Sequence, residues 1–345
     1  MASHRRPKPP RPRYAGMLTT TAAAAVVLSA QSAWADPVPD PTQKGVKAEV
    51  DRLYEAATQA TEKFNGAKEK ADALQKQVAD LQDAAARKQD DLNRLRDRVG
   101  AIAAAQYRGG GLDPSMRLLL SGDPDSFLER AGLQQRLGDR EVSTLQRFEA
   151  ERLKLRQQRA EAARKLADLE ASRAEQRRKK SEVQARLAQA RKLLNTLTAE
   201  ERARIAEAED RANRASARVD LGNETSASAR AAEAFAAART RVGMPYVWGA
   251  TGPASFDCSG LTSWAFKQAG VTLPRTSQGQ ASAGTRIDSL GALRPGDLVI
   301  MRDDLSHVGF YAGNGQILHA PKPGAQVRYE SIARSGMPFM WGVRI

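Results

Sequence analysis

The chain has 345 residues, a formal net charge of +14 and one cysteine. A single cysteine excludes a disulfide framework. The basic residues alternate with Glu and Asp along helical stretches and aromatic residues make up only 5% of the chain, so solvated helix faces are favoured over a nucleic-acid surface. We therefore expect no nucleic-acid partner. The length leaves room for two domains and connecting segments.

Residues 1–35 have the features of a secretory signal peptide. Five basic residues come first, an apolar run centred on residues 22–28 follows, and Ala33-Trp34-Ala35 is a cleavage pattern. The apolar run is short for a membrane span, so cleavage after Ala35 is favoured over an uncleaved anchor. Cleavage would lower the net charge from +14 to +9, because the leader has five basic and no acidic residues. We expect a secreted protein of the cell envelope, with residues 36–45 as a short linker.

Residues 46–205 carry the apolar pattern of a coiled coil. From Val46 to Ile102, apolar residues recur in alternating steps of four and three, and the same pattern returns between Leu145 and Leu197. A glycine- and proline-containing break near residues 107–125 separates the two arms. Two similar arms around a short break predict an antiparallel hairpin roughly 90 Å long. A parallel dimer of long helices is the alternative.

The composition changes again beyond the second arm. Residues 206–229 contain few large apolar side chains and are predicted to be a linker. Residues 230–345 are richer in Gly, Pro, aromatic and β-branched residues, which predicts a small α+β domain. Its predicted helices are 230–242 and 259–268, and its predicted strands are 297–301, 307–312, 316–319 and 326–329.

The candidate catalytic groups all lie in this last domain. Cys258 is the only cysteine, and His307 and His319 are the only histidines outside the leader. A thiol with imidazole partners is the arrangement of a cysteine nucleophile. Cys258 precedes an apolar run, so we expect it at a helix N-terminus, where free amides and the helix dipole favour the thiolate. The alternative is a buried structural cysteine with two packed histidines.

The two histidines are placed to act together. His307 opens one predicted strand, His319 ends the next, and Gly313-Asn314-Gly315 between them is a hairpin turn signal. Neighbouring antiparallel strands can bring both rings to one face of a sheet. One ring would then act as base while the other orients it.

Residues 230–345 resemble the NlpC/P60 papain-like cysteine peptidases of bacterial cell walls. Each matching block is weak, but their order is specific; the blocks are 242–249, 256–261, 273–278, 293–299, 307–311 and 317–320. The resemblance implies an α+β papain-like catalytic domain, here preceded by a long all-α coiled-coil hairpin. The hairpin itself is similar to the coiled-coil regions of division-associated peptidoglycan hydrolases, a less specific likeness.

The resemblance also implies roles for the three candidate catalytic residues. Cys258 would be the nucleophile, His307 the general base and His319 the orienting third residue. Tyr246 would help to stabilise the oxyanion, although core packing is an equal alternative for it. Neither a metal nor another cofactor is implied.

Five further residues are implied to bind substrate. Asp257 and Ser259 would hold a substrate amine, and Arg275, Ser277 and Gln278 would line the cleft. Simpler alternatives exist for two of them, because Asp257 could only cap the helix and Arg275 could only form a surface ion pair.

The implied activity is that of an endopeptidase acting on peptidoglycan stem peptides, most often at the bond between D-γ-glutamate and diaminopimelate. The coiled coil would be a regulatory or docking arm, with a membrane-embedded division complex as its candidate partner. One alternative is a non-catalytic wall-binding protein that acts through its coiled coil in cell division. Another is acyl transfer, or hydrolysis of other amides, by the same thiol chemistry.

A regulatory hypothesis follows from this layout. A long hairpin on a flexible linker could lie over the catalytic cleft or be held away from it. The second arm has polar seam positions at Arg173, Gln176 and Lys180. We predict that this interruption is the site of docking or bending.

Overall fold

A computed structural model describes residues 43–108, 116, 127–226 and 228–345. The predicted signal peptide, most of the linker 36–45 and most of the break at 107–125 lie outside the described residues. Within the described part of the chain, no helix is both long and apolar enough to cross a membrane.

Two long helices, α1 (Gln43–Arg108) and α2 (Phe127–Thr196), form an antiparallel hairpin. Ser172 donates a 3.0 Å hydrogen bond to the carbonyl of Ala67, and Arg173 donates one of 2.8 Å to Gln75. Further along, Lys88 forms an ion pair with Glu151. From the pair Ala67–Ser172 to the pair Lys88–Glu151 the residue numbers change in opposite directions, and most of the apolar seam of α1 is buried. The predicted hairpin is confirmed.

A third helix, α3 (Ala199–Ser216), corrects the prediction of a linker at 206–229 in its first half. Its start is fixed by a capping box, in which Thr198 and Glu201 bind each other's backbone N–H groups. The helix docks through polar contacts: Glu209 pairs with Arg328, and Ser216 accepts a 2.7 Å hydrogen bond from the Tyr329 backbone. Residues 206–216 therefore have few large apolar side chains because this helix contacts the domain through polar groups, not because it is a linker.

The C-terminal domain, residues 229–345, consists of three helices and one antiparallel sheet. The helices are α4 (Ala229–Arg239), α5 (Cys258–Gln268) and the short α6 (Ser277–Gln280). The strands are β1 (Thr285–Ile287), β2 (Leu298–Met301), β3 (His307–Gly313), β4 (Gln316–His319), β5 (Arg328–Ser331) and β6 (Phe339–Arg344). They pair in the order β1-β6-β2-β3-β4-β5.

Most of the predicted elements of this domain are present, with differences at the edges. The strand predicted at 326–329 begins two residues later, because Gln326 instead bridges to Pro245 and Val327 bonds to Met244 and Gly243. The strands β1 and β6 were not predicted from the sequence. Residues 285–287 of β1 include two exposed polar residues and have no apolar pattern, whereas residues 339–344 of β6 are largely apolar and could have been recognised as a strand.

The core of the domain lies between α5 and the centre of the sheet. Phe266 of α5 stacks on Phe310 of β3 with ring centroids 5.5 Å apart, and both side chains are fully buried. Burial of two aromatic rings fixes the helix against this strand. The first residue of α5, Cys258, is thereby held beside the start of β3, because its thiol lies 3.9 Å from the carbonyl oxygen of Ser306.

Helix α1 also packs directly on the C-terminal domain. Asp51 pairs with Lys322 at 2.7 Å, and Glu55 pairs with Arg302 at 3.4 Å. Further along, the ring of Phe64 meets Trp248 edge-on with centroids 5.4 Å apart. The contacts continue to Glu69, near the backbone of Arg275. About five turns of α1 therefore cover one face of this domain.

Candidate active site

Cys258 is the first residue of α5, as the sequence predicts, and its side chain is fully buried. Asp257 is the N-cap and accepts a 2.6 Å hydrogen bond from the N–H of Gly260. Gly260 has no space for a side chain, because a Cβ there would lie 2.1 Å from the carbonyl oxygen of Ala250. The turn that presents the thiol is thus fixed by a cap and by a close backbone approach.

The two histidines contact each other from the adjacent strands β3 and β4. Nε2 of His307 lies 2.8 Å from Nδ1 of His319, and the two rings are nearly perpendicular. Both side chains are fully buried. The second nitrogen of His307, Nδ1, has no hydrogen-bond partner among the described residues. The pairing leaves one nitrogen of the dyad free for chemistry.

Asp257, Ser259 and Arg275 form one polar cluster beside the thiol. Arg275 binds both carboxylate oxygens of Asp257, at 3.1 and 2.6 Å, and donates a 2.8 Å hydrogen bond to Ser259. Asp257 also accepts from the N–H of Gly249. Asp257 therefore caps α5 and pairs with Arg275 at the same time. Its predicted contact with a substrate amine stays a prediction.

A carboxylate from the coiled coil occupies the space in front of the thiol. Oε1 of Glu62 lies 3.7 Å from Sγ of Cys258 and accepts a 2.8 Å hydrogen bond from Ser259. Its other oxygen accepts from the N–H of Ser277 at 2.7 Å and from the Ser277 hydroxyl at 3.0 Å. One turn later, Asn65 donates to Asp257. Glu62 is 2% exposed, so α1 closes the site completely at this point.

The same contact reverses the expected ionisation of the thiol. Burial, followed by the charges of Glu62 and Asp257, raises the pKa of Cys258 well above its usual range, against the N–H of Ser259 and the charge of Arg275. A helix N-terminus favours the thiolate, but two nearby carboxylates and loss of water outweigh it here. The expectation of a stabilised thiolate is therefore wrong for this closed arrangement.

Burial also shifts the pKa values of His307 and Glu62. Burial, then His319 and Arg302, lowers the pKa of His307 well below its usual range, so the ring is neutral. Burial also raises the pKa of Glu62, with Asp257 adding to the shift, to about 7, although Ser277, Ser259 and Arg275 oppose it. The thiol of Cys258 and the ring of His307 are thus both uncharged in this closed arrangement.

Two other predicted residues have different surroundings. Tyr246 is buried, and burial followed by the charges of Cys258 and Asp257 raises the pKa of its hydroxyl, which Thr58 of α1 faces. Gln278 donates to the backbone carbonyl of Asp304, in the loop before β3. Ser277 and Arg275 thus join the cluster around Glu62 and Asp257, whereas Gln278 binds the adjacent loop.

Three residues of the site were not predicted from the sequence: Glu62, Asn65 and Glu330. Glu62 and Asn65 belong to a buried polar stripe of α1, with Thr58 and Thr61, at helical spacing but off the apolar seam. That stripe was a usable signal. Glu330 is bonded to His319 and lies just beyond the end of the predicted strand 326–329. At the predicted docking or bending site of Arg173, Gln176 and Lys180, Arg173 bonds to Gln75 within the hairpin, whereas α1 makes the contacts with the site. Bending at this interruption stays a prediction.

Comparison with known proteins identifies the C-terminal domain. Residues 243–343 match the profile of the NlpC/P60 family. A probable endopeptidase of Corynebacterium glutamicum is 48% identical over 108 residues, which are 31% of this chain and 50% of that protein. A probable endopeptidase of Mycobacterium tuberculosis is 46% identical over 100 residues, 29% of this chain and 26% of that protein. The chain thus spans half or less of the length of these relatives.

One solved structure is also similar to part of this chain. The structure of NlpC2 from Trichomonas vaginalis is 33% identical, covers 36% of this chain and 48% of its own, and has a TM-score of 0.32. Within the part of the chain that the structure describes, no group of three or more His, Cys, Asp or Glu residues could hold a metal ion.

Proposed function

We propose that this chain, which carries an NlpC/P60 domain at residues 243–343, is a cysteine endopeptidase that hydrolyses peptidoglycan stem peptides. The observation that carries the proposal is the arrangement of Cys258 with a buried, hydrogen-bonded pair of histidines. Buried polar atoms are normally hydrogen-bonded, so the unpaired Nδ1 of His307 needs an explanation. A role as the base of a cysteine nucleophile supplies one.

The chemistry follows from the free nitrogens. With α1 withdrawn, Nδ1 of His307 takes the thiol proton, and the resulting thiolate of Cys258 attacks the scissile carbonyl carbon. The backbone N–H of Cys258 and the hydroxyl of Tyr246 are the candidate donors to the oxyanion. The imidazolium then protonates the leaving amine, which leaves a thioester. Water adds to the thioester with His307 again as base, and the acid product and free thiol are released.

The groups that bind Glu62 define what the cleft accepts. Ser259, Ser277 and the nearby Arg275 present hydroxyl, amide and guanidinium donors next to the thiol. Such donors suit a substrate with a free carboxylate close to the scissile bond. D-γ-Glutamate in a stem peptide has one, because its side-chain carboxyl forms the peptide link. We therefore place the cut at the bond between D-γ-glutamate and diaminopimelate.

The coiled coil is proposed to be a regulatory arm that blocks the site. Glu62 occupies the donors that a substrate would use, and Thr58 and Asn65 face Tyr246 and Asp257. A stem peptide and Glu62 cannot occupy these positions together. Activity thus requires withdrawal of α1 over the stretch from Asp51 to Glu69.

Location and partner complete the proposal. The leader features of residues 1–35 support secretion into the cell envelope. Fractionation of cells that produce the tagged chain would test this location. Several large apolar side chains are exposed in the first half of α2: Leu133, Leu137, Val142, Leu145 and Leu153. They suit a protein partner that pulls on the arm, and a membrane-embedded division complex is our candidate.

Mass spectrometry of muropeptides tests the endopeptidase proposal. Purified peptidoglycan is digested with the full chain, with Glu62→Ala and with Glu62→Ala/Cys258→Ala. We expect fragments with new diaminopimelate amino termini, more from Glu62→Ala than from the natural chain and none from the double variant. If neither of the first two proteins releases any new fragment, the domain is a wall-binding module and not a peptidase. Fragments cut elsewhere would overturn only the bond assignment.

A further inference from the structure

A third side chain extends the hydrogen-bonded pair of His307 and His319. Oε2 of Glu330 lies 3.1 Å from Nε2 of His319. Glu330 stands on β5, which pairs with β4, and His319 faces Arg328 directly in the register of these strands. Arg328 and Glu330 therefore lie on the same face of β5. Both nitrogens of His319 are thus engaged, one by a carboxylate and the other by the catalytic base.

The contact with Glu330 determines where the protons of the dyad reside. An ionised carboxylate only accepts hydrogen bonds, so Nε2 of His319 must carry the hydrogen. Burial lowers the pKa of His319, although Glu330 opposes this, so the ring is neutral and its Nδ1 is an acceptor. Nε2 of His307, 2.8 Å away, must then donate. His307 is neutral too, which leaves a lone pair on Nδ1.

The opposite arrangement would remove the base. If Nδ1 of His319 carried the hydrogen, it would donate to Nε2 of His307, and the proton of His307 would move to Nδ1. That nitrogen could then not accept the proton of the thiol. A dyad of two neutral histidines has no preference of its own between these arrangements; the acceptor at its far end supplies one.

We propose that Glu330 is a positioning residue that fixes the tautomers of both histidines and keeps Nδ1 of His307 available to the thiol. This inference rests on the proposed peptidase function for its consequence, but the tautomers exist independently of turnover. When His307 becomes an imidazolium during the reaction, the carboxylate of Glu330 also stabilises the positive charge through His319.

The charges around the dyad support this assignment. Burial alone would raise the pKa of Glu330, but the hydrogen bond with His319 and the charge of Arg328 outweigh it and lower that pKa. Arg328 approaches the same carboxylate oxygen at 3.4 Å and is itself held by Glu209 of α3 at 2.8 Å. Arg302, from the loop before β3, is the other nearby cation. These groups keep Glu330 ionised and therefore purely an acceptor.

Nitrogen NMR of the full chain tests the assignment directly. The chain has only three histidines, so long-range proton–nitrogen spectra of a protein labelled at histidine nitrogens can be assigned by single substitutions. We expect His307 and His319 both in the Nε2–H form in the natural chain. In Glu330→Ala we expect one or both rings to show mixed or reversed tautomers. Glu233→Gln, on the exposed surface of α4, is the matched control and should leave both signals unchanged.

The outcomes separate this inference from the proposed function. An Nδ1–H signal for His319 in the natural chain, or unchanged tautomers in a folded Glu330→Ala, would overturn it. If Glu330→Ala does not fold, Glu330→Met keeps a side chain of similar length but removes both carboxylate acceptors, and the same spectral criterion applies. If the spectra behave as expected but no peptidoglycan is cut, the positioning role stands and the peptidase proposal fails.

Activity supplies a second readout, measured in a Glu62→Ala background. We expect Glu330→Ala to lower kcat by roughly 10–100-fold, the range for outer residues that orient a reacting group, with a smaller change in KM. Loss of the negative charge should also move the acidic limb of the kcat/KM profile to lower pH, because the imidazolium loses stabilisation. A purely structural defect would leave that limb in place.

Discussion

Two glutamates contact the candidate site, the buried Glu62 and the partly buried Glu330, and their environments differ in kind. Glu62 comes from α1 and faces the thiol, where it meets the charge of Asp257, and its pKa is raised to about 7. Glu330 comes from β5 and faces His319, where Arg328 is close, and its pKa is lowered. The same side chain is thus about half protonated at pH 7 next to the thiol, whereas its ionised form is favoured next to His319.

The difference shows what each contact can do. Glu330 belongs to the same sheet as the histidines and has a cation beside it, so its charge is a fixed part of the site. Glu62 belongs to an element that reaches the site across 196 residues of sequence and meets like charges there. Because burial and the charge of Asp257 disfavour the ionised form of Glu62, the docked position of α1 is easier to leave when Glu62 is ionised. The contact of Glu62 with the thiol is therefore the one that can be released, and the contact of Glu330 with His319 is the permanent one.

Removing the histidines should give the largest effects, because the base takes part directly in the proton transfers of the reaction. With Glu62→Ala as background, we expect His307→Ala to reduce peptidoglycan hydrolysis by about 10⁴-fold or more. His319→Ala should cost roughly one to two orders of magnitude less, because an orienting residue contributes less than the base itself. Release of new amino termini is the measurement. Equal losses in the two variants would show that His319 is more than an orienting group.

Opening the front of the site is expected to have the next largest effect. In Glu62→Ala the carboxylate no longer holds Ser259 and Ser277, so α1 loses its central polar contacts with the domain. We expect the rate of Cys258 alkylation by iodoacetamide in the full chain to rise by about 5–150-fold, the usual range for coupling between two sites. Glu49→Ala, which removes only an exposed ion pair within α1, is the control. A rate that matches this control would mean that Glu62 does not close the site.

The parts of this molecule that follow from local patterns were predictable. The seam residues gave the hairpin, and the residues around Cys258 and the turn at Gly313-Asn314-Gly315 gave α5 and the paired strands of the histidines. The contact of Glu62 with Cys258 was not predictable in this way, because heptad analysis weighs apolar positions and Glu62 lies off the seam. Its partner residues are almost 200 positions away. Only the buried polar stripe that includes Thr58 and Asn65 hinted at a second occupied face of α1.

The smallest predicted effect is a dependence of closure on pH. The docked pKa of Glu62 is raised from its ordinary value of 4.5 to about 7, so the docked state binds the proton more tightly than the released state. Docking is therefore fully favoured below about pH 4.5 and weakens as the pH rises through about 7. The other groups that face Glu62 are Asp257, Cys258, Tyr246 and Arg275.

Glu62→Gln distinguishes this proton from the ionisation of the thiol. The amide has the shape of the protonated acid, so the arm should stay docked at all pH values tested. We expect the alkylation rate of Cys258, measured from about pH 5 to about pH 9 and divided by that of Glu62→Ala, to rise a few-fold near pH 7 in the natural chain. In Glu62→Gln the same ratio should stay low and flat. Superimposable curves for the two proteins would show that closure does not depend on the charge of Glu62.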